Sequence, residues 1–131
     1  MPSVLFVCVA NSFRSQMAEA FARSWGGTTW EVWSAGSAPS GGVHPLAIQV
    51  MAERGLDLTT HRSKGLTEIP AKPWDALVTM GCGDVCPAVP ARQRIDWKIP
   101  DPAGLPLEEV RRVRDRIEQL VRELVTARER G

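Results

Sequence analysis

The sequence predicts an α/β fold, a small open parallel sheet of about four strands flanked by helices on both faces. Three observations carry that prediction. Short apolar runs rich in β-branched and aromatic residues stand at Ser3 to Cys8 and at Ala76 to Met80, as buried strands require. Segments of helical period lie between strands, so neighbouring strands need crossover connections and run parallel. Near the end, Leu107, Val110, Val113, Ile117, Leu120, Val121, Leu124 and Val125 step at threes and fours, marking a long amphipathic helix from about Pro106 to Arg128.

The elements follow in chain order. Ser3 to Cys8 is the first strand. A helix-like segment from Gln16 to Arg23 puts Met17, Ala18, Phe21 and Ala22 on one face, and Gly26-Gly27 supplies its stop. Thr28 to Ser34 alternates as a strand, and Ala35 to Gly42 is a loop of small residues. Pro45 suits the first turn of a helix running to about Gly55, with Leu46, Val50 and Met51 on one side and His44 at its start. Ala76 to Met80 is a buried strand that enters the loop Gly81 to Pro90. In an open parallel sheet, ligands bind beyond the carboxyl ends of the strands, so Cys8 and Cys82 are expected on the same rim.

Composition narrows the function. With 131 residues, 44% hydrophobic and 24% charged, the chain is expected to form a single soluble domain, residues 1–131, and a monomer. No apolar run approaches the roughly 18 residues of a membrane span. Met1-Pro2-Ser3 lacks the basic start and long apolar core of an export signal, which points to the cytoplasm. Three cysteines without such a signal argue for reduced thiols and for any disulfide being transient. A formal net charge of +1 leaves no electrostatic footprint for nucleic acid, so an anion must be held locally.

The stretch Cys8-Val9-Ala10-Asn11-Ser12-Phe13-Arg14-Ser15 offers that local site. A loop leaving a strand and feeding a helix presents successive N–H groups toward one point, and the helix start adds partial positive charge. Cys8 at its mouth is then a candidate nucleophile, its thiolate stabilised by those dipoles and by Arg14. The planar fork of Arg14 suits two oxygens of a tetrahedral anion. Ser12 and Ser15 can donate hydrogen bonds, Ser15 to the Cys8 sulfur, and Asn11 tolerates a left-handed backbone. The alternative at this point is a buried structural cysteine near an unrelated arginine.

These residues resemble the low-molecular-weight protein tyrosine phosphatase superfamily, with its Cys-x5-Arg-Ser loop near the N-terminus. Three further stretches are similar to its thioredoxin-coupled arsenate reductases. They are Arg14-Ser15-Gln16-Met17-Ala18-Glu19, the cysteine pair in Met80-Gly81-Cys82-Gly83-Asp84-Val85-Cys86-Pro87, and Trp97-Lys98-Ile99-Pro100-Asp101-Pro102-Ala103-Gly104. Ser34-Ala35-Gly36 also fits. The resemblance implies a phosphatase-like fold in which Val9 to Ser15 bind arsenate or phosphate and Cys8 attacks arsenic. It further implies Asp101 as general acid, an alternative to its being an ordinary turn aspartate. Cys82 and Cys86 would complete a relay of Cys8-Cys82 and Cys82-Cys86 disulfides emptied by thioredoxin, with no other cofactor.

Several positions depart from the family pattern. Ala10 stands where glycine is usual, so the loop must accommodate a methyl, and Phe13 stands where relatives often carry a second cysteine. Some of these reductases bind potassium near the positions of Asn11, Glu19 and Ser34, with an acidic residue where this chain has His61-Arg62-Ser63-Lys64. Lys64 is read either as a built-in cation against Glu19, so that the potassium site is absent, or as a solvated lysine. Cys82 and Cys86 could in principle ligate zinc, but four ligands are usual and only His44 and His61 remain, so no metal is expected. His61 reads as a loop contact. A small tyrosine phosphatase and a non-catalytic thiol redox switch are the rival functions.

Overall fold

The computed structural model describes residues 2–80 and 89–130. Its strands β1 (Ser3–Cys8), β2 (Glu31–Gly36), β3 (Trp74–Thr79) and β4 (Ala91–Asp96) form one sheet in the order β2-β1-β3-β4. Every pairing is parallel, as the sequence predicts. Among the described residues three α-helices accompany the sheet, α1 (Arg14–Gly26), α2 (Pro45–Ala52) and α3 (Leu107–Arg130).

The alternation of β1 divides the core. Val4, Phe6 and Cys8 turn to one side, where they meet Met17 and Phe21 of α1, Val50 and Met51 of α2, and Val110, Ile117 and Val121 of α3. Leu5 and Val7 turn to the other side and pack with Ala35, Trp74 and Leu77, under Leu66, Ile69 and Val89. A short 3-10 turn, Leu66–Glu68, lies in that second cover. Each large side chain buried this way contributes about 1.5–3 kcal/mol, so Phe21, fully buried in the larger cluster, is among the costliest to truncate.

Three of the departures from the sequence expectation have a clear local reason. β2 begins at Glu31 rather than Thr28, because Gly27–Thr29 continue α1 as a 3-10 turn in which Thr29 Oγ1 donates to the Gly26 carbonyl at 2.6 Å. α2 closes at Ala52, and Gly55, with φ of 75°, ends it by the pair of bonds Gly55 N–H to Ala52 O and Leu56 N–H to Met51 O. β4 escapes the apolar pattern altogether. It is an edge strand whose Arg92, Gln93 and Arg94 are exposed, so its sequence carries charge where a central strand carries branched apolar residues.

The parallel arrangement brings the carboxyl ends of β1, β2 and β3 to one rim. Cys8 pairs in register with Gly36, and the Met80 N–H donates to the Val7 carbonyl at 2.8 Å, so β1 and β3 leave the sheet side by side. The expected position of Cys82 on this rim lies outside the described residues.

Gly36 is the tightest point of the rim. A Cβ there would stand 2.5 Å from the Val9 carbonyl oxygen and 2.9 Å from the Asn11 nitrogen, both backbone atoms that cannot rotate away. Gly36→Ala is therefore expected to lose about 1–3 kcal/mol of stability in urea unfolding by forcing β2 off the loop after β1. A parental unfolding midpoint would show that the loop yields freely.

α2 and α3 are joined by a second constraint, Glu53, which takes hydrogen bonds from Arg111 (Nη2 at 2.8 Å) and from the buried Arg114 (Nη1 at 2.6 Å). These arginines, Arg111 foremost, hold the Glu53 carboxyl down from 4.5 to about 2. Because the folded value is the lower one, the contribution is complete above pH 4.5 and disappears as pH falls toward 2. The melting temperature should therefore fall more steeply across that window in the parent than in Glu53→Gln. Parallel curves would remove Glu53 from the acid response.

Candidate functional site

The loop between β1 and α1 is anchored by its carbonyls. Those of Cys8, Val9, Ala10 and Ser12 accept from the N–H groups of Ser37, Ala38, Ser40 and His44, at 3.3, 2.8, 3.1 and 2.8 Å. The Ala10 carbonyl also accepts from the Ser63 hydroxyl at 2.7 Å. With its carbonyls committed outward, the loop leaves its N–H groups for the concave side. At the start of α1, Phe13 supplies no side-chain cap and the first turn carries no acidic residue, so the helix presents its positive end to the same point. Asn11 sits at the bend with φ of 50°, in the left-handed region that an asparagine tolerates.

Cys8, Val9, Ala10, Ser12, Phe13, Arg14 and Asp101 line a cavity of about 130 Å³. That is well below the roughly 300–1,000 Å³ of pockets for larger organic ligands, and it suits a tetrahedral oxyanion. Cys8 is buried, its Sγ 2.8 Å from Ser15 Oγ. Arg14 is 7% exposed. Its Nη1 donates to the Ile99 carbonyl at 3.0 Å, while its Nε has no hydrogen-bond partner among the described residues. The Ile99 contact ties the arginine to the segment that carries Asp101. Asp101 is exposed at the cavity edge, and its Oδ1 accepts from the Ala103 N–H at 3.0 Å. The Phe13 ring stacks on His44, ring centroids 4.6 Å apart.

Beneath the loop lies a buried polar network. Asn11 Nδ2 donates to Ser15 Oγ at 2.8 Å and to Ser34 Oγ at 3.0 Å, and its Oδ1 accepts from the Lys64 N–H at 2.8 Å. Ser34 Oγ donates to Glu19 Oε1 at 2.6 Å. Lys64 is buried, not solvated, with Nζ 3.3 Å from Glu19 Oε1 and 3.2 Å from Ser34 Oγ. Arg23 Nη1 reaches Glu19 Oε2 at 3.0 Å. His61 Nδ1 stands 3.4 Å from Glu19 Oε2 and 3.0 Å from Gln16 Oε1. Burial lowers the His61 pKa from its ordinary value although the Glu19 carboxylate pulls it up.

The structure thus brings together Cys8, Arg14, Asp101 and the loop, with Asn11, Ser15, Glu19, Ser34 and Lys64 under it. Cys82 and Cys86 lie outside the described residues. Sequence reasoning missed Gln16, fully buried within the network, and treated His61 as a plain loop contact. A glutamine on the apolar side of a helix start was the available signal. Among the described residues no cluster of three His, Cys, Asp or Glu could hold a metal ion, and no helix is long and apolar enough to cross a membrane.

Comparison with known proteins agrees with this geometry. Arsenate reductase 2 of Staphylococcus haemolyticus (strain JCSC1435) is 37% identical over 128 residues, covering 95% of this chain and 96% of the relative. An arsenate reductase solved in its phosphate-binding state superposes with a TM-score of 0.87 at 36% identity, covering 97% of this chain and 98% of that one. The thioredoxin-dependent arsenate reductase of Corynebacterium glutamicum gives a TM-score of 0.80 at 38% identity, covering 97% of this chain and 61% of that longer one. Residues 3–130 match the family described as low molecular weight phosphotyrosine protein phosphatase, and the chain belongs to that family.

Proposed function

We propose that this chain is a cytoplasmic arsenate reductase that works by a three-cysteine relay, with thioredoxin as electron donor and a residual phosphatase activity. The observation that carries the reading is Arg14. A buried guanidinium whose Nε has no partner among the described residues, beside Cys8 in a cavity of about 130 Å³, is a donor suited to an oxyanion. The likeness to a thioredoxin-dependent arsenate reductase supports the reductant.

In this mechanism the Cys8 thiolate attacks arsenic(V), and the departing oxygen leaves as water after taking a proton from Asp101. The Cys82 thiolate then attacks the Cys8 sulfur. The sulfur–arsenic bond breaks with its electron pair going to arsenic, so arsenite departs and a Cys8–Cys82 disulfide remains. Cys86 attacks Cys82 in turn, which frees the Cys8 thiolate and forms a Cys82–Cys86 disulfide. A thioredoxin dithiol supplies the two electrons that reopen it. The chain has the three thiols this sequence needs.

Against a tyrosine phosphatase stands the segment after Asp101, Pro102-Ala103-Gly104-Leu105-Pro106, which has no aromatic ring to stack a phenyl group, and Cys86 has no task in ester hydrolysis. A mere redox switch leaves the Arg14 cavity without a purpose. Lys64 fits the role of a built-in cation, because its ammonium is within 3.3 Å of Glu19 and 3.2 Å of Ser34, where a monovalent ion would do the same electrostatic work.

Ester hydrolysis requires Cys8, Arg14 and Asp101, whereas arsenate turnover also requires the other two thiols. Cys82→Ser and Cys86→Ser should keep phosphatase activity while thioredoxin-coupled arsenate reduction drops below about 1% of the parental rate, and Cys8→Ser should lose both. Peptide mapping after one turnover of Cys86→Ser should find the Cys8–Cys82 disulfide. Parental reduction rates in both Cys82→Ser and Cys86→Ser would refute the relay, and a glutaredoxin with glutathione that outperforms thioredoxin would change the donor.

For Lys64, activity and melting temperature should not change when sodium is exchanged for potassium, and Lys64→Asp should become potassium-dependent. Clear stabilisation of the parent by potassium over sodium would defeat the assignment.

A further inference from the structure

Gln16 follows the Arg14-Ser15 pair directly and is fully buried, yet the chemistry above gives it no task. Its Nε2 faces three oxygens, the Asn11 carbonyl at 3.1 Å, Asn11 Oδ1 at 3.0 Å and the Arg62 carbonyl at 2.9 Å. Two of these are backbone carbonyls, which only accept, so the orientation of the Gln16 amide is fixed. Its Oε1 then faces His61 Nδ1 at 3.0 Å, and that nitrogen must carry the proton. Asn11 is fixed in the same way, since its Oδ1 accepts from the Lys64 N–H and its Nδ2 must donate to Ser15 Oγ. Ser15, with one lone pair taken by Asn11, can turn its O–H toward Cys8 Sγ at 2.8 Å. Donors and acceptors therefore run in one direction from His61 through Gln16, Asn11 and Ser15 to the sulfur.

We propose that Gln16, oriented by His61, is a positioning residue for the oxyanion loop, holding the left-handed Asn11 so that the Ser15 hydroxyl points at Cys8. Gln16 touches neither the sulfur nor the cavity lining and acts only through Asn11 and Ser15. It also ties the loop to the Arg62 carbonyl, so the segment before β3 fixes the geometry at the end of β1. Burial favours the neutral imidazole of His61, against the attraction of Glu19 and with the repulsion of Arg23 and Lys64. Neutral or charged, Nδ1 donates to Gln16, so the direction of the chain survives protonation.

The inference rests on Cys8 being the reactive thiol of an oxyanion site, and its test separates the two. Cys8 alkylation by iodoacetamide is followed by peptide mapping, with and without inorganic phosphate. Phosphate protection of Cys8 in the parent tests the oxyanion site, and the alkylation rates of the variants test Gln16. Gln16→Met, which keeps the volume and removes the amide, should alkylate about tenfold more slowly at neutral pH. His61→Leu should slow the reaction in the same direction, while His61→Gln, which keeps a donor, should stay within about twofold of the parent. Added to Ser15→Ala, Gln16→Met should slow alkylation no further, since both act through one hydroxyl. A parental rate in Gln16→Met would overturn the proposal, as would slowing that multiplies with that of Ser15→Ala. If Gln16→Met does not melt cooperatively, the His61 pair decides by the same rates, and equal behaviour of Leu and Gln at position 61 overturns it.

Discussion

The left-handed conformation of Asn11 is the constraint on which the site depends. A non-glycine residue there costs roughly 1–2 kcal/mol, yet the chain must take that turn to bring β1 into α1 around a concave point. Hydrogen bonds converge on the residue, two donated by Nδ2, one accepted by Oδ1 from the Lys64 N–H, and those from Gln16 Nε2, whose two protons are shared among the Asn11 carbonyl, Asn11 Oδ1 and the Arg62 carbonyl. At roughly 1 kcal/mol net apiece they outweigh the strain. The loop is therefore formed before any anion arrives, and binding need not supply the free energy to order it.

A second requirement follows from placing a carboxylate beneath an anion site. Glu19 is 2% exposed, and an unpaired carboxylate there would cost several kcal/mol and repel a bound oxyanion across a medium of low dielectric. Arg23 and Lys64 remove both difficulties, and the Ser34 hydroxyl supplies a short third contact. The same charges clamp α1, β2 and the segment before β3 at the underside of the loop. Electrostatic compensation and mechanical anchoring are thus one set of contacts, which is why polar residues occupy positions that an apolar core would otherwise fill.

How much of this could be read in the sequence depends on whether the signal is local. β1, α1 and α3 are legible because their apolar residues carry the period of the element, and Cys8, Arg14 and Asn11 because a strand–loop–helix junction fixes where they point. β4 is illegible for the converse reason. With a strand on one side only among the described residues, Arg92 and Arg94 face solvent and no apolar alternation remains. The start of β2 is displaced because a single hydroxyl bond, Thr29 to Gly26, prolongs the helix into residues whose side chains alternate like a strand. Lys64 could be suspected against Glu19 from resemblance alone, but its burial could not. Gln16 and His61 are 45 residues apart in the chain, and their contact is a product of the fold that no spacing announces.

Topology also determines which chemistry the rim can support. β1 and β3 are adjacent and parallel, so Cys8 and the exit of β3 at Met80 share one edge, joined by the Met80 to Val7 hydrogen bond. A thiol carried two residues beyond Met80 is tethered to that edge covalently. If Cys82 attacks Cys8 as proposed, its effective concentration is set by chain connectivity instead of by diffusion. A sulfur–sulfur attack that displaces arsenite gains from this tether, whereas hydrolysis, whose nucleophile is water at bulk concentration, gains nothing. A cradle of N–H donors and a guanidinium does not by itself distinguish phosphate from arsenate, which share charge and tetrahedral shape. In the proposed relay, a preference for reduction would therefore reside in the strand order, which sets the exit of β3 beside Cys8.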